Sequence, residues 1–177
     1  ITKKLIEKMG GTITFESEKE KGTTFVIKIP FKIDQDADRR EEQETISEKS
    51  IKDLKILLVE DNELNMEIAE FMLQNEGADV TKAWNGQEAV ELFEKSRAGE
   101  FDVILMDIMM PVMNGYDATK TIRSLDREDA KEVPIIAMTA NAFTEDRIRA
   151  KEAGMNEHIA KPFDVKLLVK IIHKLVH

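Results

Sequence analysis

The sequence predicts an α/β domain, a doubly wound parallel sheet of five β/α units over residues 53–177, preceded by a helix plus β-hairpin fragment of an α+β domain over residues 1–33. Three observations predict this. From Leu54 onward, apolar runs of strand length alternate with amphipathic helical stretches across short connections, which demands parallel strands, right-handed crossovers and helices on both faces. Val103, Ile104, Leu105 and Met106 form a near-continuous apolar run, as suits a strand covered on both sides. In the first 33 residues the apolar period instead changes from helical to alternating at Gly10-Gly11.

Taken in order, Ile1, Leu5 and Met9 lie on one helical face, and Gly10-Gly11 ends the helix with a residue free to take positive φ. Ile13 and Phe15 then alternate with polar residues, a charged turn runs from Ser17 to Gly22, and Phe25, Ile27 and Ile29 resume the alternation until Pro30. Such a unit has too few residues to bury both of its apolar faces, so it reads as the end of a larger domain. Residues 34–52 are polar and highly charged, a composition that cannot offset the entropy of ordering, and they read as an interdomain linker.

The five units follow. Lys55 to Val59 is a strand, and Glu63 to Glu76 a helix with Leu64, Ile68, Phe71 and Met72 on its apolar face, closed by Gly77. Val80 to Trp84 is a strand, Asn85-Gly86 a turn, and Gln87 to Lys95 a helix bearing Ala89, Val90, Leu92 and Phe93. The central strand ends at Asp107, because Pro111 cannot continue a ladder and Asn114-Gly115 marks a turn. Tyr116 to Leu125 is a helix, Pro134 to Met138 a strand, Phe143 to Ala153 a helix ended by Gly154, Glu157 to Ala160 a short strand, and Val165 to Leu175 the last helix.

Composition narrows the function. The chain has 177 residues, 34% of them charged, with net charge -9, and no basic patch that would make a nucleic-acid surface. The absence of cysteine rules out disulfides, thiolate metal sites and thiol nucleophiles. No apolar run reaches the roughly 18 residues of a membrane span, and no signal peptide opens the chain, so no membrane contact by these residues is expected. Starting at Ile1 without Met, the chain is expected to be a piece of a longer protein.

Parallel strands share one carboxyl edge, where open α/β sheets bind ligands. That edge gathers Glu60 and Asp61 after the first strand, Asp107 after the third, Thr139 after the fourth and Lys161 after the fifth. Three carboxylates together repel one another unless a cation is supplied, and a hard divalent ion such as Mg2+ takes oxygen ligands and keeps several waters. A metal, a lysine and a hydroxyl together suit a phosphoryl group whose oxygens are neutralised from several sides. Aspartyl phosphates are a known form of covalent catalysis. Asp107 is the favoured acceptor because it ends the central strand; attack by Glu60 or Asp61 is the alternative within the cluster.

Two resemblances follow from the motifs. KKLIEKMGGTITFESEKEKGTTFVIKIP resembles the C-terminal end of the ATP-binding domain of sensor histidine kinases. That family's Asn-bearing helix and Gly-rich loops are not among these residues, so the resemblance implies a kinase parent, while this chain is expected to bind ATP weakly or not at all. ILLVEDN, VILMDIMMPVMNG, PIIAMTA and HIAKPF resemble the four signature segments of response-regulator receiver domains, over about residues 54–176. Together they resemble the C-terminal part of a hybrid sensor histidine kinase.

The receiver resemblance implies a flavodoxin-like sheet of order 2-1-3-4-5. It implies that Glu60 and Asp61 are the acidic metal pair, that Asp107 is the phosphoacceptor and also a ligand, and that Met109 gives a backbone carbonyl to Mg2+. Thr139 is then the switch hydroxyl, followed by the small Ala140, and Lys161 contacts the phosphoryl group. His158 stands where many receivers carry Tyr or Phe; it is a second switch residue and, as histidine, a candidate for coupling to pH. Met109 and Asn141 flank the acceptor site and are expected to influence the lifetime of the aspartyl phosphate.

The implied partners are a histidine kinase phosphodonor, either the parent chain or another, and a histidine phosphotransfer protein. The implied location is cytoplasmic, with the parent open to membrane anchoring, and docking of residues 1–33 on a second chain would give a dimer. Catalysis is expected to extend only to phosphorylation and dephosphorylation of its own aspartate. With no DNA-binding segment after His177, relay or feedback on the kinase is expected rather than transcription control. A phosphatase with an aspartate nucleophile is disfavoured, since Met109 stands where a second Asp is required. A flavodoxin-like regulatory binding module that is never phosphorylated is the alternative.

Overall fold

A computed structural model describes residues 2–18, 21–30, 51–139, 144–162 and 164–176. The chain divides into two units, residues 1–47 and 48–177. In the first, helix α1 (Thr2–Lys8) precedes strands β1 (Thr12–Glu18) and β2 (Gly22–Lys28), paired antiparallel with Phe15 opposite Phe25 and Ile13 opposite Ile27. The two phenylalanine rings lie 5.8 Å apart on an exposed apolar face. Ile6 of α1 is buried, whereas Met9, expected on the packed stripe, is exposed; Ile1 and the side chain of Leu5 lie outside the described residues.

The second unit is a five-stranded parallel sheet. Its elements are β3 (Lys55–Val59), α2 (Glu63–Asn75), β4 (Asp79–Ala83), α3 (Gly86–Lys95), β5 (Val103–Asp107), α4 (Gly115–Ser124), α5 (Glu128–Glu132), β6 (Ile135–Thr139), α6 (Thr144–Ala153), β7 (Glu157–Ala160) and α7 (Val165–Val176). The order across the sheet is β4-β3-β5-β6-β7, which counted within this unit is the expected 2-1-3-4-5. Successive strand residues point to opposite faces, and the core divides accordingly. Leu57, Val59, Ile104, Met106, Ile135 and Ala137 pack with Phe93, Ile122 and Ala150 of α3, α4 and α6. Ile56, Leu58, Leu105, Ile136 and Met138 pack with Met66, Leu73, Leu168 and Ile172 of α2 and α7.

Three details differ from the sequence reading. Ile51, counted there with the polar stretch, is fully buried beside Ile56 and Leu73; Lys52 is exposed, and residues 34–50 lie outside the described residues. The short helix α5 was not expected, because five residues carry too little periodicity to register. The third concerns α2. Its sheet-facing residues are Met66, Ala69 and Leu73, while Leu64, Ile68 and Phe71, expected in the core, are 64%, 47% and 66% exposed. The expected start of α6 at Phe143 lies outside the described residues.

Helices α2, α3 and α4 each start at an asparagine. The side chains of Asn62, Asn85 and Asn114 accept from the amides of Asn65, Glu88 and Asp117, satisfying donors that a helix start leaves open. These caps fix the loops at the carboxyl edge of the sheet. Among the described residues no helix is long and apolar enough to cross a membrane.

Candidate functional site

Asp107 is the last residue of the central strand and is buried on all but its outer edge. The strand cannot run on, because the amide of Gly115 donates to the carbonyl of Ile108 (3.0 Å) and folds the loop back. The fold-back has no room for a side chain: a Cβ on Gly115 would stand 2.2 Å from the Asp107 carbonyl oxygen. Met109 donates its amide to Asp107 Oδ1 (3.3 Å), and its side chain is exposed. In the same loop Val112 has φ 68°, an uncommon conformation for a β-branched residue.

Glu60 and Asp61 follow β3. The Glu60 amide donates to Ala83 (3.1 Å), which pins the chain beside β4, and Glu60 is 2% exposed while Asp61 is open to solvent. Glu60, Asp61 and Asp107 each present a carboxylate oxygen within 4.8 Å of the others. Lys161, just past β7, reaches across from the far side of the cluster. Its Nζ lies 2.7 Å from Asp107 Oδ2 and donates as well to Glu60 Oε2. Its own amide donates to the carbonyl of Thr139 (2.7 Å), so the ends of β6 and β7 stay in register at the site. One ammonium thus bridges two buried carboxylates with a third beside them.

This balance shows in Asp107. Burial pushes its carboxyl above the ordinary carboxylate range, and Glu60 pushes the same way; the bond and charge of Lys161 and the amide of Met109 pull it back. The site thus holds more negative charge than Lys161 offsets, with Glu60 and Asp107 buried and Asp61 open to solvent. Hard cations with oxygen ligands fit such a donor set.

Thr139 is buried at the end of β6. His158 sits on β7 opposite Ala137, half-buried, with Nδ1 3.2 Å from Glu157 Oε1. Its strand is separated by β6 from the strand that ends at Asp107, and it is not in the carboxylate cluster. Ala140 and Asn141 lie outside the described residues. Two contributors escaped the sequence reading. Asn65 donates its side-chain amide to Glu60 Oε1 (3.0 Å), and Gly115 clears the space behind Asp107. The sequence reading placed Asn65 inside the helix from Glu63 to Glu76, and nothing local pointed from it back to Glu60. Beside the cluster, Ile68, Met72 and Pro162 line a small apolar cleft bordered by Glu60, Asn65 and Lys161.

A parallel five-stranded sheet of this order, with an acidic cluster and a lysine at its carboxyl edge, defines a class of signalling domain. The chain belongs to the response regulator receiver domain family, whose model matches residues 56–173. Its relatives are hybrid histidine kinases. It is 35% identical to the aerobic respiration control sensor protein ArcB of Escherichia coli over 177 residues, 98% of this chain and 22% of that protein. It is 45% identical over 122 residues to hybrid signal transduction histidine kinase M of Dictyostelium discoideum, covering 68% of this chain and 5% of the relative. The chain therefore spans less than a quarter of either relative's length. Among solved structures, it resembles the receiver domain of a sensor histidine kinase of Pseudomonas aeruginosa that holds a magnesium ion in its active-site cleft, at 44% identity and TM-score 0.63, covering 70% of this chain and 98% of that one. It also resembles the complex of the Saccharomyces cerevisiae histidine phosphotransfer protein Ypd1 with the receiver domain of Ssk1, at 30% identity and TM-score 0.61, covering 70% and 89%.

Proposed function

We propose that this receiver accepts a phosphoryl group from a phosphohistidine donor onto Asp107, with Mg2+ held by Glu60, Asp61, Asp107 and the carbonyl of Met109. The observation that carries the reading is Lys161, shared between Asp107 and Glu60 with Asp61 alongside. In the transfer, the bond from imidazole nitrogen to phosphorus breaks as a bond from an Asp107 carboxylate oxygen to phosphorus forms, and the electron pair of the broken bond returns to the imidazole. The protein contributes position and charge. The Lys161 ammonium is already aligned on Asp107 and offsets charge on the phosphoryl oxygens. When bound, the metal supplies positive charge against the same oxygens.

The product adds charge and strong acceptors at the end of β5. Thr139 then turns toward the phosphoryl group, and His158, on the adjoining strand, follows it, which favours a second arrangement of the face around α6 and β7. The phosphodonor is the parent kinase or another histidine kinase, and onward relay goes to a histidine phosphotransfer protein. The exposed apolar face of α2, Leu64, Ile68 and Phe71, lies beside the cleft at Lys161 and supports docking of such a helical partner there. Residues 1–33 are the end of a kinase ATP-binding domain, 34–52 a linker and 53–177 the receiver, with Ile51 packed against it; the similarity to ArcB along 98% of the chain supports this division. The location is cytoplasmic, and the open apolar face of β1 and β2 is available for dimer formation.

Intact-mass spectrometry after incubation with a small-molecule phosphodonor, with and without Mg2+, tests the reading. One phosphoryl adduct that needs both Mg2+ and Asp107, and is lost in Asp107→Asn, is expected. No adduct from a small donor or from a histidine kinase, with Mg2+ bound, would favour a binding module that is not phosphorylated.

A further inference from the structure

Glu60 is a buried carboxylate with both oxygens engaged by side chains from different parts of the chain. Oε2 takes the Lys161 ammonium and Oε1 takes the Asn65 amide at 3.0 Å. Lys161 in turn lies 2.7 Å from Asp107. The sequence Asn65, Glu60, Lys161, Asp107 is therefore one continuous line of charge-assisted contacts that runs from the first turn of α2 to the proposed phosphoacceptor. Asn65 is fixed at its other end as well, since its backbone amide is held by the Asn62 side chain (3.0 Å). The cap uses Asn65 only through its main chain. The side-chain amide is thus free of any duty in starting the helix, and it donates to Glu60.

We infer that Asn65 is a positioning residue for phosphoryl acceptance: it fixes the Glu60 carboxylate so that Lys161 stays aligned on Asp107 and the acidic cluster stays arranged for a divalent cation. Glu60 needs such a hold. Its side chain has one more rotatable bond than aspartate and sits between an ammonium that draws it toward Asp107 and a neighbouring Asp61 that repels it. A neutral donor on the far oxygen fixes the torsion without adding charge to a site that must still take a cation. Outer partners of this kind change metal affinity about 10- to 100-fold when removed.

The inference rests on the reading of the cluster as a Mg2+ site, and the test separates the two. Mg2+ is titrated into the 177-residue chain and its Asn65→Ala and Asn65→Gln variants, and binding is followed by amide NMR shifts at Asp61 and Met109. Thermal unfolding without Mg2+ is measured alongside. Asn65→Ala is expected to weaken Mg2+ about 10-fold while helical circular dichroism stays that of the unaltered chain. Asn65→Gln, which keeps the amide, is expected to recover part of that loss. If Asn65→Ala binds Mg2+ within about twofold of the unaltered chain, or Gln is no better than Ala, Asn65 has no positioning role and the inference falls alone. If the unaltered chain gives no saturable shift, the Mg2+ reading fails and the inference with it.

Discussion

Gly115→Ala should disable the receiver from behind its acceptor. The added Cβ would lie 2.2 Å from the Asp107 carbonyl oxygen, 3.0 Å from the Asp107 carbonyl carbon and 3.0 Å from Met106 Cγ. Backbone and methyl group must separate by about 1 Å to reach ordinary contact, and neither side yields easily. Asp107 is held in the central strand by its pairing with β6, and Gly115 opens α4 under the Asn114 cap. Overpacking a core costs about 1–3 kcal/mol, and a clash with central-strand backbone belongs at the upper end, about 3 kcal/mol. For a unit of this size that lowers the melting temperature by roughly 10 °C. Gly99→Ala is the control, because Gly99 has φ 73° but nothing within 4 Å of the added Cβ; its cost is only the left-handed backbone, about 1 kcal/mol. Thermal unfolding by circular dichroism and phosphorylation by intact mass read the two effects. Gly115→Ala that melts within about 2 °C of the unaltered chain and phosphorylates normally would refute the close-packing argument.

Further outcomes follow from the same geometry. Leu73→Ala should cost about 2–5 kcal/mol, while Leu64→Ala and Phe71→Ala should stay within about 0.5 kcal/mol yet slow phosphotransfer with a histidine phosphotransfer protein; equal stability losses in denaturant melts would contradict the assigned faces of α2. Arg127→Ala removes donors to the carbonyls of Phe93, Ser96 and Arg97 and the ion pair to Asp129, at a cost of about 2–3 kcal/mol. The Arg127 bond holds Asp129 down at about 2, so its stabilisation is complete above the unfolded value and is lost as pH falls from about 4 to 2; Arg127→Ala should flatten that part of a stability profile in denaturant. Asp107 has the opposite sign. Burial raises its folded value, so stability present at low pH is lost as pH rises through the folded value. The melting temperature of Asp107→Asn relative to the unaltered chain, without Mg2+, should therefore climb as pH rises above the ordinary carboxylate range, and a constant difference would count against the buried, charged Asp107.

Much of the molecule was legible in local sequence. The inner strands β3, β5 and β6 read as apolar runs because both faces of a parallel sheet are covered, and β5 is buried along its whole length. The turns read at Asn85-Gly86 and Asn114-Gly115 stand where α3 and α4 begin, and strand ends were marked by the residues that stop them, so Glu60, Asp61, Asp107, Thr139 and Lys161 could be assigned to one edge from connectivity alone. That assignment needs only the rule that parallel strands end together.

Other features required the folded chain. Helix α2 carries two apolar stripes at helical spacing, Met66, Ala69 and Leu73 on one and Leu64, Ile68 and Phe71 on the other, and periodicity cannot rank them. Only the position of the sheet decides which is buried, and it leaves the second stripe to solvent beside the site. Ile51 looked like part of a polar stretch because its neighbours are charged, but burial is a property of what lies across from a residue. Lys161 and Glu60 are 101 residues apart, and nothing local to either indicates that one ammonium serves both Glu60 and Asp107, or that Asn65 completes the set. Sequence determined which chemical groups reach the carboxyl edge, because strand direction and strand ends are local properties; tertiary structure alone decided which of those groups touch, because contact depends on crossovers that bring distant segments within bonding distance.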